Sequence, residues 1–189
     1  MASTTRGAEG GISITGMAHL ILVVKNWEAT TAFYRRLLGF LGMTAVSDSE
    51  RGLGQYDNEP FLYFVGGKTA LGFHRADSAL GSFDQSRAGM HHYCLRARSA
   101  ADVDRVQQYF DQELVPLGGK LVRRAAENKW APGYYSILFE DPDGMRGEVN
   151  YVPGKGLLAM ERPEVGHGDQ GLGPNPDKHN NNAHAHAKL

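Results

Sequence analysis

Gly16-Met17-Ala18-His19-Leu20-Ile21 and Gly89-Met90-His91-His92-Tyr93-Cys94 carry nearly the same message at an offset of 73 residues. Each histidine opens an apolar run, and each run is followed by a helix-like segment with an adjacent aromatic pair, Phe33-Tyr34 and then Tyr109-Phe110. Short strand-like segments follow in both places. A repeat of this kind marks two copies of one supersecondary unit. Two copies of a curled module leave a cleft between them, and a histidine from the first strand of each would face it. His19 and His92 then form half of a metal site, and Glu148, in Asp141-Pro142-Asp143-Gly144-Met145-Arg146-Gly147-Glu148, offers a carboxylate.

Working outward, the first copy, residues 14–75, reads as β-α-β-β-β. Its strands are expected over about 17–24, 42–47, 61–65 and 69–75, with a helix over about 27–39. Ala29, Phe33, Leu37 and Phe40 supply the helical spacing, and Gly39 and Gly42 the stop. The second copy, residues 89–155, repeats the order. A strand over about 90–97 leads into a helix that starts at Ser99-Ala100-Ala101-Asp102 and keeps Val103, Val106, Tyr109, Phe110 and Leu114 on one face. Pro116 and Gly118-Gly119 stop it, and strands follow over about 120–124, 134–140 and 146–152. The fold class is therefore α+β, two fused modules whose curled mixed sheets form a cleft. Residues 1–13 read as a flexible arm, 76–88 as a polar linker, and 156–189 as an extension too polar to order from about 164 onward. Its histidines, His167, His179, His184 and His186, read as a solvated tail.

Bulk properties narrow the choice of partner. The chain has 189 residues, 41% of them hydrophobic and 22% charged, with a net charge of −1, which gives no reason to expect nucleic acid or an anionic membrane surface. A small molecule is the expected partner. Cys94 is the only cysteine, which excludes an intramolecular disulfide and a cysteine-based zinc cluster and points to the cytoplasm. Neither a signal-peptide pattern nor an apolar run long enough to span a bilayer is present.

Strand alternation puts His19 on one face with Met17, Ile21 and Val23, and His92 with Met90, Cys94 and Arg96. A single histidine on such a face reads as a core residue satisfied by backbone carbonyls. Two at matching positions, with a carboxylate late in the second copy, suit Fe, Mn, Co, Ni or Zn in the divalent state. His91 is the weaker candidate, because alignment with His19 selects His92. Cys94 reads as a small buried filler sooner than as a ligand or redox group.

Taken together, Met17-Ala18-His19-Leu20-Ile21-Leu22-Val23-Val24, Ala32-Phe33-Tyr34-Arg35-Arg36-Leu37-Leu38-Gly39-Phe40, Gly89-Met90-His91-His92 and Leu138-Phe139-Glu140-Asp141-Pro142-Asp143-Gly144 with Glu148 resemble the vicinal oxygen chelate superfamily over residues 14–155. That superfamily includes glyoxalase I, methylmalonyl-CoA epimerase, fosfomycin-resistance proteins, type I extradiol dioxygenases and bleomycin-resistance proteins. The resemblance implies paired modules around one divalent metal ion, held by His19, His92 and Glu148 and left open to chelate a substrate through neighbouring oxygens. It also implies pairing of modules between chains, hence a homodimer. Some members use a fourth ligand from the last strand of module one. Subtracting 73 from Glu148 lands on Arg75, beside His74, so no Glu or Gln stands there; His74 becomes a candidate ligand, substrate contact or acid-base group, and Glu148 is itself a candidate base. The histidine and apolar-Tyr pattern of extradiol enzymes is absent, with Leu138-Phe139 at the pair and Trp130-Ala131-Pro132 where the histidine is expected. The implied function is a metal-dependent lyase, isomerase or dioxygenase acting on a small oxygen-rich molecule. Two other readings stand beside it: a metal-free binding protein like the bleomycin-resistance branch, and a structural metal that staples the modules.

Overall fold

The computed structural model describes residues 16–53, 61–77, 79, 81 and 83–154. The arm expected over 1–13 and the extension over 156–189 lie outside the described residues. The first module runs β1 (His19–Val24), α1 (Trp27–Phe40), β2 (Thr44–Asp48), β3 (Phe61–Gly66) and β4 (Thr69–Arg75). The second runs β5 (Tyr93–Arg96), α2 (Ala100–Tyr109), β6 (Lys120–Asn128), β7 (Tyr134–Glu140) and β8 (Arg146–Tyr151). Two four-stranded mixed sheets result, in the orders β1-β4-β3-β2 and β5-β8-β7-β6. In each, the first strand pairs parallel with the last and the others pair antiparallel. No helix among the described residues is long and apolar enough to cross a membrane.

Expected and observed elements differ in three places. The strand expected to end near residue 124 runs on to Asn128, with register shifts between Leu121 and Ala126 that absorb its polar stretch. The helix expected through Leu114 leaves α geometry after Tyr109 and continues as one π turn, Phe110–Leu114. That turn swings both Phe110 and Leu114 fully into the core. The third difference is that β5 begins at Tyr93, so His92 sits just ahead of the strand.

Both helices lie between the sheets, and their apolar faces meet both inner sheet faces in one core. α1 contributes Phe33, Tyr34, Leu37 and Leu38, spaced at three and four residues, and α2 contributes Val103 and Val106. Phe33 touches the second module directly, its ring centroid 5.9 Å from Phe110 and 6.0 Å from Phe139. Gly119 permits this approach, because a Cβ there would lie 2.6 Å from Phe33 Cε2 and 2.9 Å from Phe110 Cζ.

Polar contacts lock the same junction. Asp143 accepts hydrogen bonds from the backbone N–H groups of Lys25 and Asn26 at 2.7 and 2.8 Å, just ahead of α1. Tyr34 donates its hydroxyl to Asp141 at 2.9 Å and accepts one from Tyr93 at 3.0 Å. Asp141 also accepts from the amides of Asp143 and Met145, both at 2.9 Å. Desolvation outweighs these donors and pushes the Asp141 carboxyl up from 3.8 to about 6.

A carboxyl raised in the folded state lets the fold gain stability as pH falls through about 6 toward about 4, and lose it as pH rises. Urea unfolding of the wild type and Asp141→Asn should show their stability difference moving in favour of the wild type by about 2 kcal/mol between pH 7.5 and pH 4.5. A difference that stays flat across that range would show that the buried carboxyl does not titrate there.

Candidate functional site

Because the inner faces share one core, the remaining face of each sheet looks outward. Alternation from buried Tyr93 puts Cys94 and Arg96 on the outer face of the second sheet. Cys94 is in register with Glu148, and Glu148 with Leu138. On the first sheet, His19 pairs with Ala70, Ile21 with Gly72 and Val23 with His74, and these form the outer face together with Tyr63 and Phe61.

Glu148 is the centre of the second face. It is buried although it stands on an outer face, because neighbouring side chains close over it. Its Oε2 lies 3.2 Å from His92 Nε2. Its Oε1 accepts from Tyr134 Oη at 3.0 Å and from Arg123 Nη2 at 3.3 Å. Desolvation, followed by Cys94 and Glu148, raises the Tyr134 hydroxyl, so it stays protonated as a donor. Cys94, expected as a buried filler, is instead exposed on this outward face, yet the protein packed around its sulfur pushes the thiol up to about 12, and the Glu148 charge adds to the shift. It is an inert thiol at neutral pH. His92 Nδ1 lies 2.7 Å from His91 Nδ1, so the residue passed over as a ligand instead fixes the ring of its neighbour.

The expected ligand set is only partly brought together in one chain. Among the described residues, no three His, Cys, Asp or Glu side chains form a metal-holding group. His92 and Glu148 are neighbours, whereas His19 stands on the outer face of the other sheet. The physical reason is the shared core: it joins the sheets through their inner faces, so one chain cannot turn both outer faces toward one point. His74 stands on the same outer face of the first sheet as His19, its ring 4.6 Å from that of Phe61.

Strand register also corrects the equivalence drawn from sequence. If His19 matches His92, then Ile21 matches Cys94, and their strand partners Gly72 and Glu148 match each other. The offset at this strand is 148 − 72, or 76, and no longer 73, because the second module inserts three residues before its last strand. The counterpart of Glu148 is therefore Gly72, not Arg75 or His74. Arg75 is paired with Glu28 at 2.8 Å at the end of β4. The space a fourth ligand would need is filled, since a Cβ on Gly72 would lie 2.4 Å from Ile21 Cδ1 and 2.6 Å from Tyr63 Cδ2. Sequence offset alone missed this. The insertion becomes visible only when strands are paired.

A profile of the Glyoxalase/Bleomycin resistance protein/Dioxygenase superfamily matches residues 16–149. The chain belongs to this superfamily. A comparison with curated proteins finds no match. Among solved structures, the fold is similar to a candidate glyoxalase from Bacillus halodurans at 23% identity and a TM-score of 0.57, covering 72% of this chain and 95% of that one. It is similar to a glyoxylase/bleomycin resistance protein/dioxygenase domain from Frankia sp. at 20% identity and a TM-score of 0.57, covering 74% and 98%. It is also similar to the fosfomycin resistance protein FosX from Mesorhizobium loti at 22% identity and a TM-score of 0.50, covering 72% and 91%. At these identities the likeness shows the shared superfamily fold.

Because Ile21 and Tyr63 close over Gly72, Gly72→Ala must push an aromatic ring aside. It should cost about 1–3 kcal/mol in urea unfolding. A variant as stable as the wild type would show that Tyr63 is free to move and that the position is open to a ligand side chain.

Proposed function

We propose that the protein is a divalent-metal-dependent enzyme of the glyoxalase and dioxygenase type, acting on a small oxygen-rich molecule. The observation that carries this reading is the pairing of His92 Nε2 with Glu148 Oε2 at 3.2 Å. Two donors bound about 2.0–2.2 Å from one ion lie roughly 3.0–3.5 Å apart, so the pair fits two arms of a metal centre. The donor set is a neutral imidazole and a carboxylate, suited to Fe, Mn, Co, Ni or Zn. His19 would complete it from a second copy of the chain, in a homodimer whose first sheet covers the second sheet of its partner.

The exposed apolar side chains of Met17, Val23 and Val65 on and beside the first sheet support such a cover. With Gly72 in place of a fourth ligand, two histidines and one carboxylate leave positions for substrate. When bound, the ion supplies Lewis-acid polarisation of the substrate oxygens. Tyr134 holds the Glu148 carboxylate in place, and His91 holds the His92 ring. His74 would arrive with His19 on the same face as an acid-base group toward substrate, its ring steadied by Phe61. The reaction is a lyase or isomerase step, or an oxygenation where the ion is iron. The lone thiol suits a reducing compartment, and we place the protein in the cytoplasm.

Elemental analysis of the full chain, combined with subunit mixing, tests this reading. The wild type should hold about one ion per chain, and His19→Ala and Glu148→Ala should each lose it. The two variants, unfolded together and refolded, should regain metal at about one site in four, because a mixed dimer rebuilds one intact site. Absence of metal from the wild type after reconstitution would favour a metal-free binding protein. Metal retained in both variants would place the ligands elsewhere.

A further inference from the structure

The outer face of the second sheet carries more positive charge than a metal site needs. Arg123 enters it from β6 at one edge, and Arg96 stands on β5 at the other, with Glu148 on β8 between them. Arg123 Nη2 donates to Ser136 Oγ at 2.9 Å, a shorter contact than its 3.3 Å to Glu148. Glu148 does not depend on it for satisfaction, since Tyr134 serves Oε1 and His92 lies against Oε2. Arg123 Nε is buried and has no hydrogen-bond partner among the described residues, while about a third of its side chain remains exposed. A guanidinium offers five N–H donors in a rigid fork, matched to a two-oxygen acceptor. Among the described residues only Nη2 of this guanidinium is hydrogen-bonded to protein, and a buried unmet N–H costs free energy until an acceptor reaches it.

The charge balance points the same way. Among the described residues of this face, Glu148 is the carboxylate at the centre and Arg123 offsets it, while Glu140 at the end of β7 is already paired with Arg146 and Lys120. A divalent ion held there would keep its full charge, with Arg96 adding to the field. A neutral or singly charged chelator leaves that excess unmet. We propose that the site selects a small, doubly negative oxygen chelator, with Arg123 as the residue that recognises the second charge and Arg96 as a weaker contributor from the opposite edge. The inference rests on the metal-dependent reading above and narrows its substrate class to compact dianions.

Calorimetric titration of the Mn(II)-loaded full chain with two chelators of similar bite separates the possibilities. Oxalate carries two negative charges, and acetohydroxamic acid carries none in neutral solution. Arg123→Gln should lower oxalate affinity about tenfold or more and change acetohydroxamate affinity by less than about threefold. Arg123→Lys should recover part of the oxalate loss, as a charge without the fork. Glu148 is bonded by Tyr134, Arg123 and His92 and not by Arg96 among the described residues, so Arg96→Gln guards against a variant that disturbs the metal. It should weaken oxalate by about threefold and leave acetohydroxamate unchanged. Equal losses for both chelators, or oxalate binding indifferent to both arginines, would overturn the proposal. A wild type that takes up no Mn(II) would instead sink the metal-dependent reading itself, so the two failures are distinguishable.

Discussion

The packing of Phe33 and Tyr34 against the second module is the constraint on which the rest of the structure depends. These adjacent helical residues point into both halves: Phe33 toward Phe110 and Phe139, and Tyr34 toward Phe73 on one side and Asp141 on the other. Burial of large aromatic rings supplies most of the attraction. The Tyr93–Tyr34–Asp141 chain and the Asp143 contacts to Lys25 and Asn26 supply direction, since hydrogen bonds, unlike apolar burial, require one alignment. The aromatic pair repeated in the sequence thus serves as the glue between copies, and the DPDG turn is the anchor that orients them.

That junction determines which chemistry one chain holds. With both inner faces consumed by a single core, functional side chains are confined to two outward faces of different character. The face of the first sheet, with Ile21, Val23, Tyr63 and Gly72, holds two histidines and otherwise apolar or small residues. The face of the second holds Glu148, Arg123, Tyr134, Arg96 and Cys94. Divergence after duplication has split polarity between them, so each face has what the other lacks. Glu148 illustrates the cost of this arrangement: a carboxylate buried on a sheet face is tolerated only because each oxygen has its own polar neighbours.

Much of this was legible in the sequence because it follows from short-range periodicity. The helical spacing of Phe33, Leu37 and their neighbours, the alternation in 69–75 and 134–140, and the turn glycines each specify local structure without reference to the rest of the chain. His92 and Glu148 were joined in the sequence by the superfamily resemblance, and the parallel pairing of β5 with β8 sets their strands side by side. Three features were not legible. The continuation of β6 past Arg124 to Asn128 breaks simple alternation, since a bulge resets which face each residue takes. The separation of His19 from His92 depends on how modules dock, which strand periodicity does not encode.

The equivalence of Gly72 with Glu148 is the third, and it changes the chemistry most. A repeat offset measured at the first strand holds at the last strand only if every intervening loop has the same length, and here the second module is three residues longer. Counting 73 back from Glu148 therefore reached a charged residue at the end of β4, whereas strand register reaches a glycine in its middle. The difference is physical and has a direction. A histidine or carboxylate at that position would have closed the coordination sphere from the first sheet, while a glycine roofed by Ile21 and Tyr63 presents an apolar wall there. At the middle of the first sheet that wall is apolar, whereas the second sheet carries two arginines, so the fixed charge of the two faces is concentrated on the second.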